Sequence, residues 1–499
     1  MRRFALVAAL AFTSYAAAQQ SRWSGVLHAQ PDAPLTLDLA AGTIGSPRPV
    51  PIANVQRDAS SLRFTFAGGE VVAQVRGDAM SGTVAGKPFA AVATIATDDV
   101  AEYGGIYEVA PGHIVIISNG PFGLSMLDRQ SGQVRQLFRT SRDAFFAGPS
   151  LGLPLPVESH YLFDRDASGA IAAVAIDGRA ARRVRLRMEE VTFKNNDITL
   201  AGTLVLPNGK GPFPAVVRTH GGGPSPRNVQ VAEASAYDGV AMLTYDKRGT
   251  GTSTGDWRRA SMNDLAFDAV AAVDLLAVRA DIDREHVGLA GGSQAGWVNV
   301  IAASVSPRVK FLMISSGETL PMLENLQHET ETELRARGTF SEAEIAQALA
   351  ANRELLLLQR DAARSGDWAP VDRAIARIKD ARWFEFVSVY ANRGGGAIDW
   401  LMMNVDVDPT ALWRRVTIPV LAIYHGKDRE VYASSNVGRL DALLKAAGNR
   451  DYTIKLFPDG NHEGFEAVTG YESELPRLKR YVPGYFETIR TWINAHVAR

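Results

Sequence analysis

The chain has 499 residues, a length that suits two or three domains, and 46% hydrophobic with 21% charged residues is ordinary for a globular protein. A formal net charge of -1 gives no electrostatic reason to expect nucleic acid or an anionic membrane surface as a partner. The absence of cysteine excludes disulfides, a thiol nucleophile, cysteine metal ligands and a lipid-modified cysteine.

The first 18 residues have the pattern of a secretory signal peptide. Arg2 and Arg3 form a basic end, residues 4–12 form an apolar stretch too short to span a bilayer, and residues 16–18 offer an A-x-A cleavage site. We therefore expect cleavage near Ala18 and a secreted or periplasmic mature protein without a membrane anchor.

Short alternating apolar and polar runs divided by turn residues continue from residue 23 to about residue 177. This pattern predicts an antiparallel β domain over residues 19–185. A weak internal similarity leaves open whether the domain is one module or two, 19–99 and 100–185. We see no catalytic constellation in this region, and we interpret its aromatic residues as core rather than as a sugar-binding surface.

Strands and helices alternate after residue 186. A hairpin over residues 188–206 comes first, and buried strands follow at 215–219, 240–245, 287–290, 311–314, 420–424 and 452–457. Ser261 and Asp264 form a capping box that predicts a helix to about Val278, and a closing helix is expected at 485–497. The alternation predicts an α/β domain over residues 186–499 whose mostly parallel sheet is covered on both faces.

Residues 318–409 interrupt this alternation because they contain helical patterns and no convincing strand. Predicted helices cover 321–337, 341–363 and 371–389, the second opened by a capping box of Ser341 and Glu344. The segment falls between two strands of the sheet. We therefore expect a helical cap that walls a substrate pocket and excludes water.

A glycine-rich stretch at 291–296, GGSQAG, joins a predicted strand to a predicted helix. The context is typical of a nucleophile elbow, in which Ser293 is held in a strained turn and the Gln294 amide points at an oxyanion. Ala295 stands where the usual G-x-S-x-G pattern has glycine, and its small side chain suits the same geometry. On this stretch alone, a turn whose serine merely caps the helix is an equal alternative.

A serine nucleophile needs a base, and the base needs an acid to orient it. In such sheets these partners follow later strands in the order serine, acid, histidine. Asp428 and His462 occupy those places after the strands at 420–424 and 452–457. Glu430 and Asp459 are alternative acids, but Asp428 comes soonest after its strand. His425 is an alternative base that lies beside the acid rather than opposite the serine.

The oxyanion hole needs a second backbone donor besides the Gln294 amide. The loop at 220–224, HGGGP, follows the strand at 215–219 and brings bare backbone to the same edge of the sheet. Gly222 is the preferred donor, with Gly221 a close alternative. This chemistry requires no metal, and the sequence has no cluster with metal-ligand spacing, so we expect neither a metal nor another cofactor.

Residues 188–499 resemble the α/β-hydrolase superfamily, in particular bacterial EstD-like esterases, serine aminopeptidase-like hydrolases and prolyl-oligopeptidase-like hydrolases. The motifs that carry the resemblance are HGGGP at 220–224, YDKRGTGTS at 245–253, GGSQAG at 291–296, GKD at 426–428 and GNH at 460–462. The resemblance implies Ser293 as nucleophile, Asp428 as acid and His462 as base. It also implies a structural role for the 246–253 loop, in which we expect Arg248 to brace the loops around the elbow.

The sequence therefore predicts a serine esterase acting on a small ester through an acyl-enzyme. An exopeptidase acting on short peptides is the alternative, and it would need carboxylates near the pocket to bind a free amine. The acidic residues of the cap are candidates, although a solvated helix face is the preferred explanation for them: Glu324, Glu329, Glu331 and Glu333. A non-catalytic surface-binding protein is the third possibility, and the intact triad and oxyanion loop argue against it.

Overall fold

The structure is a computed structural model that describes residues 21–497 except 46, 47, 59, 96–99, 390–392, 394 and 395. The predicted signal peptide lies outside the described residues. The chain divides into two compact units, an N-terminal unit of Met1–Arg183 with Leu475–Arg480 and a C-terminal unit of Val184–Glu474 with Tyr481–Arg499.

The N-terminal unit begins with eight strands that close into a barrel, each paired with its sequence neighbour and β1 with β8. Inward-facing residues such as Leu62, Phe64 and Val71 alternate with outward-facing ones and bury Trp23 at the centre. The strands are β1 Arg22–Leu27, β2 Ala33–Asp38, β3 Thr43–Ile44, β4 Val50–Arg57, β5 Ser61–Phe66, β6 Gly69–Arg76, β7 Ala79–Val84 and β8 Lys87–Thr94.

Nine further strands of this unit form one antiparallel sheet in the order β12-β11-β10-β9-β17-β16-β15-β14-β13. The strands are β9 Gly105–Ala110, β10 His113–Gly120, β11 Gly123–Asp128, β12 Val134–Gln136, β13 Phe138–Arg139, β14 Ala144–Ala147, β15 Ser159–Arg165, β16 Ile171–Ile176 and β17 Arg179–Arg183. Tyr103, Tyr107 and Phe163 pack together in its core. The predicted antiparallel β architecture of this region is confirmed.

The distant segment Leu475–Arg480 also belongs to the N-terminal unit. The carbonyl oxygen of Lys479 accepts a hydrogen bond from the Val134 amide at 2.8 Å, and that of Leu478 accepts one from the Leu151 amide at 2.8 Å. The sequence pattern gave no indication of this return of the chain.

The C-terminal unit contains an eight-stranded sheet in the order β18-β19-β21-β20-β22-β23-β24-β25. The hairpin β18–β19 and the pair β19–β21 are antiparallel, and the other neighbours are parallel. The strands are β18 Arg187–Asn195, β19 Ile198–Leu206, β20 Phe213–Arg218, β21 Ala241–Tyr245, β22 Ile282–Ser293, β23 Leu312–Gly317, β24 Val420–His425 and β25 Tyr452–Phe457.

Helices cover both faces of this sheet, because successive strand residues such as Val216 and Val217 point into different apolar clusters. The cluster around Val216 includes residues of α1 and α10, and the cluster around Val217 includes residues of α2 and α3. These helices are α1 Val229–Tyr237, α2 Met262–Ala277, α3 Ala295–Val305, α9 Ala433–Ala446 and α10 Tyr485–His496, and the cap contributes the remaining five. None of the helices within the described residues is long and apolar enough to cross a membrane.

The cap between β23 and β24 is helical, as predicted, and its helices are α4 Met322–Arg337, α5 Glu342–Ser365, α6 Ala369–Ile378, α7 Gly396–Asn404 and α8 Thr410–Trp413. Both predicted capping boxes are present, at Ser261 and Ser341. The third predicted helix, 371–389, was too long. Helix α6 ends at Ile378 because Trp383 and Val387 enter the buried cluster through a short turn rather than along a helical stripe.

Candidate active site

Ser293 is the last residue of β22, and α3 begins at Ala295. Its φ of 56° lies in the left-handed region, which a residue with a Cβ adopts only when its surroundings enforce it. Flanking glycines make that turn possible. A Cβ on Gly291 would lie 2.6 Å from Cβ of Ala295, and a Cβ on Gly296 would lie 2.3 Å from the carbonyl oxygen of Glu318. The sharp strand-to-helix turn projects the serine at the carboxyl edge of the sheet.

Asp428 and His462 lie on the loops after β24 and β25, at the same edge of the sheet. Nδ1 of His462 lies 3.0 and 2.9 Å from the two carboxylate oxygens of Asp428 and donates its hydrogen to them. The amides of Glu430 and Val431 also donate to Oδ1 of Asp428, at 2.9 and 2.8 Å. These donors fix the carboxylate, which in turn fixes the orientation of the imidazole ring.

The electrostatics of this pair favour charge on both groups. Burial alone would lower the pKa of His462, but the hydrogen bond and charge of Asp428 outweigh it and raise that pKa to about 9. Burial likewise opposes ionisation of Asp428, and His462 brings the pKa of the carboxyl below its ordinary value. The raised pKa of His462 and the lowered pKa of Asp428 are those expected of a base oriented by an ionised acid.

The other candidate acids and the other candidate base lie differently. The carboxylate of Glu430 is 3.4 Å from Nε2 of His462, on the opposite side of the ring from Asp428. Among the described residues, Asp459 makes no hydrogen bond to His462. His425 is buried, its Nδ1 is 2.9 Å from the Ser316 hydroxyl, and burial lowers its pKa to about 4. A neutral buried ring of this kind holds the strand end.

The glycine loop after β20 lies beside the elbow. A Cβ on Gly221 would be 3.7 Å from Cβ of Ser293, whereas a Cβ on Gly222 would meet no atom within 4 Å. Gly221 is therefore the residue of this loop that approaches the serine, and its neighbour Gly222 borders open space. Gln294 precedes the first turn of α3, where backbone amides have no partner within the helix. In the part of the chain described, the hydrogen bonds of His462 do not include one to the Ser293 hydroxyl.

Two basic residues of the 245–253 motif are buried, and they have different partners. The guanidinium of Arg248 makes two hydrogen bonds to Asp268 of α2, at 2.7 and 2.6 Å. Lys247 donates instead to the carbonyl oxygens of Gly221 and Gly223 and to the side-chain oxygen of Gln294. The motif alone indicates no separate role for Lys247, although a lysine two residues after an apolar strand was a visible signal.

Glu318 is a buried carboxyl near the site that no sequence motif indicates. Its amide donates to the carbonyl oxygen of Ser293 at 3.2 Å, and its Oε1 accepts hydrogen bonds from the amides of Thr319 and Leu320. Burial raises the pKa of Glu318 to about 7, and the nearby charge of Asp428 adds to the shift. Within the described residues, its Oε2 has no hydrogen-bond partner.

No group of three His, Asp or Glu side chains in the described part of the chain is arranged to hold a metal ion.

Comparison with known proteins agrees with this architecture. A family model described as the alpha/beta hydrolase family matches residues 216–469, just over half of the chain. The chain therefore belongs to the α/β-hydrolase family, which confirms the resemblance inferred from its motifs.

Two individual relatives match only part of the chain, at modest sequence identity. The esterase EstD of Thermotoga maritima is 26% identical over 285 residues, which are 54% of this chain and 60% of that protein. An uncharacterized protein of Pseudomonas aeruginosa is 32% identical over 141 residues, 26% of this chain and 37% of its own length. The chain thus spans less than two thirds of either relative. The solved structure of Est1E from Butyrivibrio proteoclasticus with ferulic acid bound covers 62% of this chain and 100% of its own, at 18% identity and a TM-score of 0.39.

Proposed function

We propose that this protein is a serine esterase that hydrolyses small carboxylic esters through an acyl-enzyme on Ser293. The observation that carries the proposal is the His462–Asp428 pair at the same carboxyl edge of the sheet as the left-handed turn at Ser293. This is the combination that serine acyl transfer requires, with a nucleophile at an elbow and a base oriented by a buried acid. The similarity to the esterase EstD supports the ester as substrate.

In the proposed reaction the Ser293 oxygen bonds to the ester carbonyl carbon while Nε2 of His462 accepts the hydroxyl proton. The carbonyl oxygen becomes an oxyanion that accepts hydrogen bonds from the amides of Gly222 and Gln294. The intermediate then collapses, and the alcohol leaves with the proton from His462. Water attacks the acyl-enzyme by the same route, which releases the acid and restores the serine.

The test is hydrolysis of a short-chain p-nitrophenyl ester by wild type and by Ser293→Ala. We expect turnover in the wild type and a loss of at least a thousandfold in the variant. Labelling by a fluorophosphonate probe should disappear in parallel. Activity that survives Ser293→Ala would refute the assignment of the elbow, and absence of labelling in the folded wild type would favour a binding protein.

The second candidate function is an exopeptidase, and the acidic residues near His462 favour it. Glu331 and Glu333 of the cap pair with Arg335 and Arg337, as on a solvated helix face. Glu329 differs from these two residues. Desolvation by the surrounding protein raises the pKa of its carboxyl, and the charge of Glu430 adds to the shift, although the residue as a whole is exposed. Glu430 lies 3.4 Å from Nε2 of His462, and the charges of both residues act on the Glu329 carboxyl, so these two carboxylates are the candidates for binding a free amine.

An aminoacyl p-nitroanilide and its N-acetylated form distinguish the two functions. An exopeptidase should cleave the free-amine substrate at least tenfold faster than the acetylated one, and Glu329→Gln should remove that preference, whereas Glu333→Gln should not. Failure to cleave either anilide, with ester turnover intact, would leave the esterase alone.

We further propose that residues 1–18 direct the protein out of the cytoplasm and are removed. Their basic end, apolar stretch and A-x-A site support this. N-terminal sequencing of the protein recovered from the periplasm or medium should begin at Gln19. A mature chain that retains Met1 would contradict the proposal.

A further inference from the structure

Lys247 is a buried charged residue of the hydrolase unit. Its side chain is 2% exposed at the loop that follows β21. The neighbouring charged residues are neutralised, because Arg248 pairs with Asp268 and Asp246 pairs with Arg227. Among the described residues, Lys247 has no such carboxylate partner, and burial lowers its pKa to about 8.

The ammonium group instead donates three hydrogen bonds to uncharged oxygens. Nζ lies 2.9 Å from the carbonyl oxygen of Gly221, 3.1 Å from that of Gly223 and 2.8 Å from Oε1 of Gln294. All three donors of the ammonium are thereby used, and they connect the glycine loop after β20 to the residue that follows Ser293. Burying an ammonium is costly in free energy, which makes the site an unfavourable place for a charge with no function.

The bond to Gly221 determines where the next amide points. The carbonyl of Gly221 and the N–H of Gly222 belong to one planar trans peptide, in which the two groups point in opposite directions. When Nζ holds that oxygen, the Gly222 N–H is directed away from Lys247. The same charge polarises the peptide and makes its N–H a stronger donor. The bond to Oε1 of Gln294 holds the residue that supplies the other amide.

We propose that Lys247 is a positioning residue for the oxyanion hole, and that its ammonium group orients and polarises the amide donors of Gly222 and Gln294. The inference rests on the proposed function, since it concerns stabilisation of the oxyanion formed by attack of Ser293. It selects Gly222 over Gly221 as the donor. It also assigns the positive charge a role in turnover rather than in substrate binding.

The principal variant is Lys247→Met, which keeps the length of the side chain and removes its charge and donors. We expect kcat for a p-nitrophenyl ester to fall ten- to a hundredfold while KM changes less than threefold, because the oxyanion exists only after attack. Affinity for a trifluoromethyl ketone, which forms a tetrahedral adduct with the serine, should fall by a factor similar to that of kcat. Lys247→Arg, which keeps the charge, should recover part of both losses.

Lys310 provides the matched control, because it is a partly exposed lysine that pairs with Glu285 at 3.0 Å. Lys310→Met should leave kcat, KM and ketone affinity within twofold of wild type. If Lys247→Met does not fold, Gln294→Met tests the same contact from its other side, and we expect it to lower kcat three- to tenfold with KM unchanged.

A folded Lys247→Met protein whose kcat stays within threefold of wild type would overturn the inference. A rise in KM without loss of ketone affinity would overturn it too, since that result places the residue in substrate binding. Unchanged kcat in Gln294→Met would do the same where Lys247→Met is not obtained. Each of these results leaves the esterase proposal standing if Ser293→Ala is inactive, whereas an active Ser293→Ala removes the esterase proposal and this inference together.

Discussion

The carboxylate of Glu430 lies 3.4 Å from Nε2 of His462, while Asp428 holds the Nδ1 side of the same ring. An imidazolium between two carboxylates has both of its N–H groups satisfied. In the proposed mechanism this is the protonated form of the base, in which Nε2 has no lone pair with which to accept a proton from a serine. For the proposed reaction, the arrangement therefore favours an inactive protonation state in the absence of substrate.

The first prediction concerns the pH dependence of turnover. Because His462 in the proposed mechanism accepts a proton only when neutral and its pKa is raised to about 9, kcat/KM should increase with pH, reach half of its maximum near pH 9 and level off only above it. Glu430→Gln removes one charge that stabilises the imidazolium, so the rising limb should move to lower pH. Glu333→Gln, on the solvated face of the cap, is the control and should not move it. If kcat/KM of Glu430→Gln rises at the same pH as that of wild type, the assigned effect of Glu430 on His462 is wrong.

The second prediction tests the acid. Asp428→Asn should lower kcat on the order of 10⁴-fold, because an amide neither fixes the Nδ1–H tautomer nor stabilises the imidazolium. Asp459→Asn is the matched control from the loop that carries His462, and its kcat should remain within threefold of wild type. Comparable losses in the two variants would show that the acid has been misassigned.

The third prediction tests the close packing of the elbow. A Cβ on Gly291 would lie 2.3 Å from the Thr219 hydroxyl oxygen and 2.6 Å from Cβ of Ala295. Gly291→Ala should therefore displace the turn, with a loss of about 1–3 kcal/mol in the free energy of unfolding and of roughly a hundredfold in kcat. Gly438→Ala, in α9 with no atom within 4 Å of the new Cβ, should instead gain about 0.5–1 kcal/mol. Urea unfolding and ester assays on both variants provide the measurement.

The fourth prediction concerns the buried ion pair of Arg248 and Asp268. Both side chains are less than a tenth exposed, so Asp268→Asn leaves a buried guanidinium without a counter-charge. The free energy of unfolding should fall by about 3 kcal/mol or more. The pair of Arg337 and Glu333 is about half exposed. Glu333→Gln should therefore change the free energy of unfolding by less than about 0.5 kcal/mol. Equal effects in the two variants would argue against a structural role for the buried pair.

The fifth prediction follows from Glu318. Burial raises its pKa to about 7 from an ordinary 4.5, so the unfolded chain releases this proton at lower pH than the folded protein does. The contribution of Glu318 to stability should therefore be lost as pH rises from about 4.5 to about 7, by up to about 3 kcal/mol. Glu318→Gln cannot ionise. The difference in free energy of unfolding between Glu318→Gln and wild type should therefore increase in favour of the variant from pH 5 to pH 8. A difference that does not change with pH would refute the assignment.

Much of this fold follows from periodicity in the sequence. Parallel strands of the hydrolase sheet are short apolar runs, and their carboxyl ends determine where Ser293, Asp428 and His462 lie. Closure of the N-terminal strands into a barrel could not be predicted from the sequence. Apolar and polar residues alternate in the same way in an open sheet and in a closed one, and closure depends on the register between strands. In the cap, Trp383 and Val387 suggested a continuing helix because apolar spacing alone does not distinguish a helix from a turn that buries the same residues.

The placement of the candidate site residues was predictable where a motif coincides with a strand end. Contacts that join distant loops were not predictable. Lys247 lies 47 positions before Gln294 in the sequence, and nothing local to either residue indicates their hydrogen bond. The burial of Glu318 likewise depends on the path that the chain takes from the end of β23 into the cap. Such contacts arise from packing between elements, which a single sequence does not encode in a readable pattern.

The return of Leu475–Arg480 to the N-terminal unit has a consequence for any attempt to divide the protein. A truncation that begins at residue 184 would keep these six residues but remove the amides of Val134, Leu151 and Gly152, which bind the carbonyl oxygens of Lys479, Leu478 and Pro476. The chain enters the N-terminal unit twice, so no single cut separates the halves cleanly. Gene fusions, domain exchanges and crystallisation trials should accordingly keep the two units together in one polypeptide.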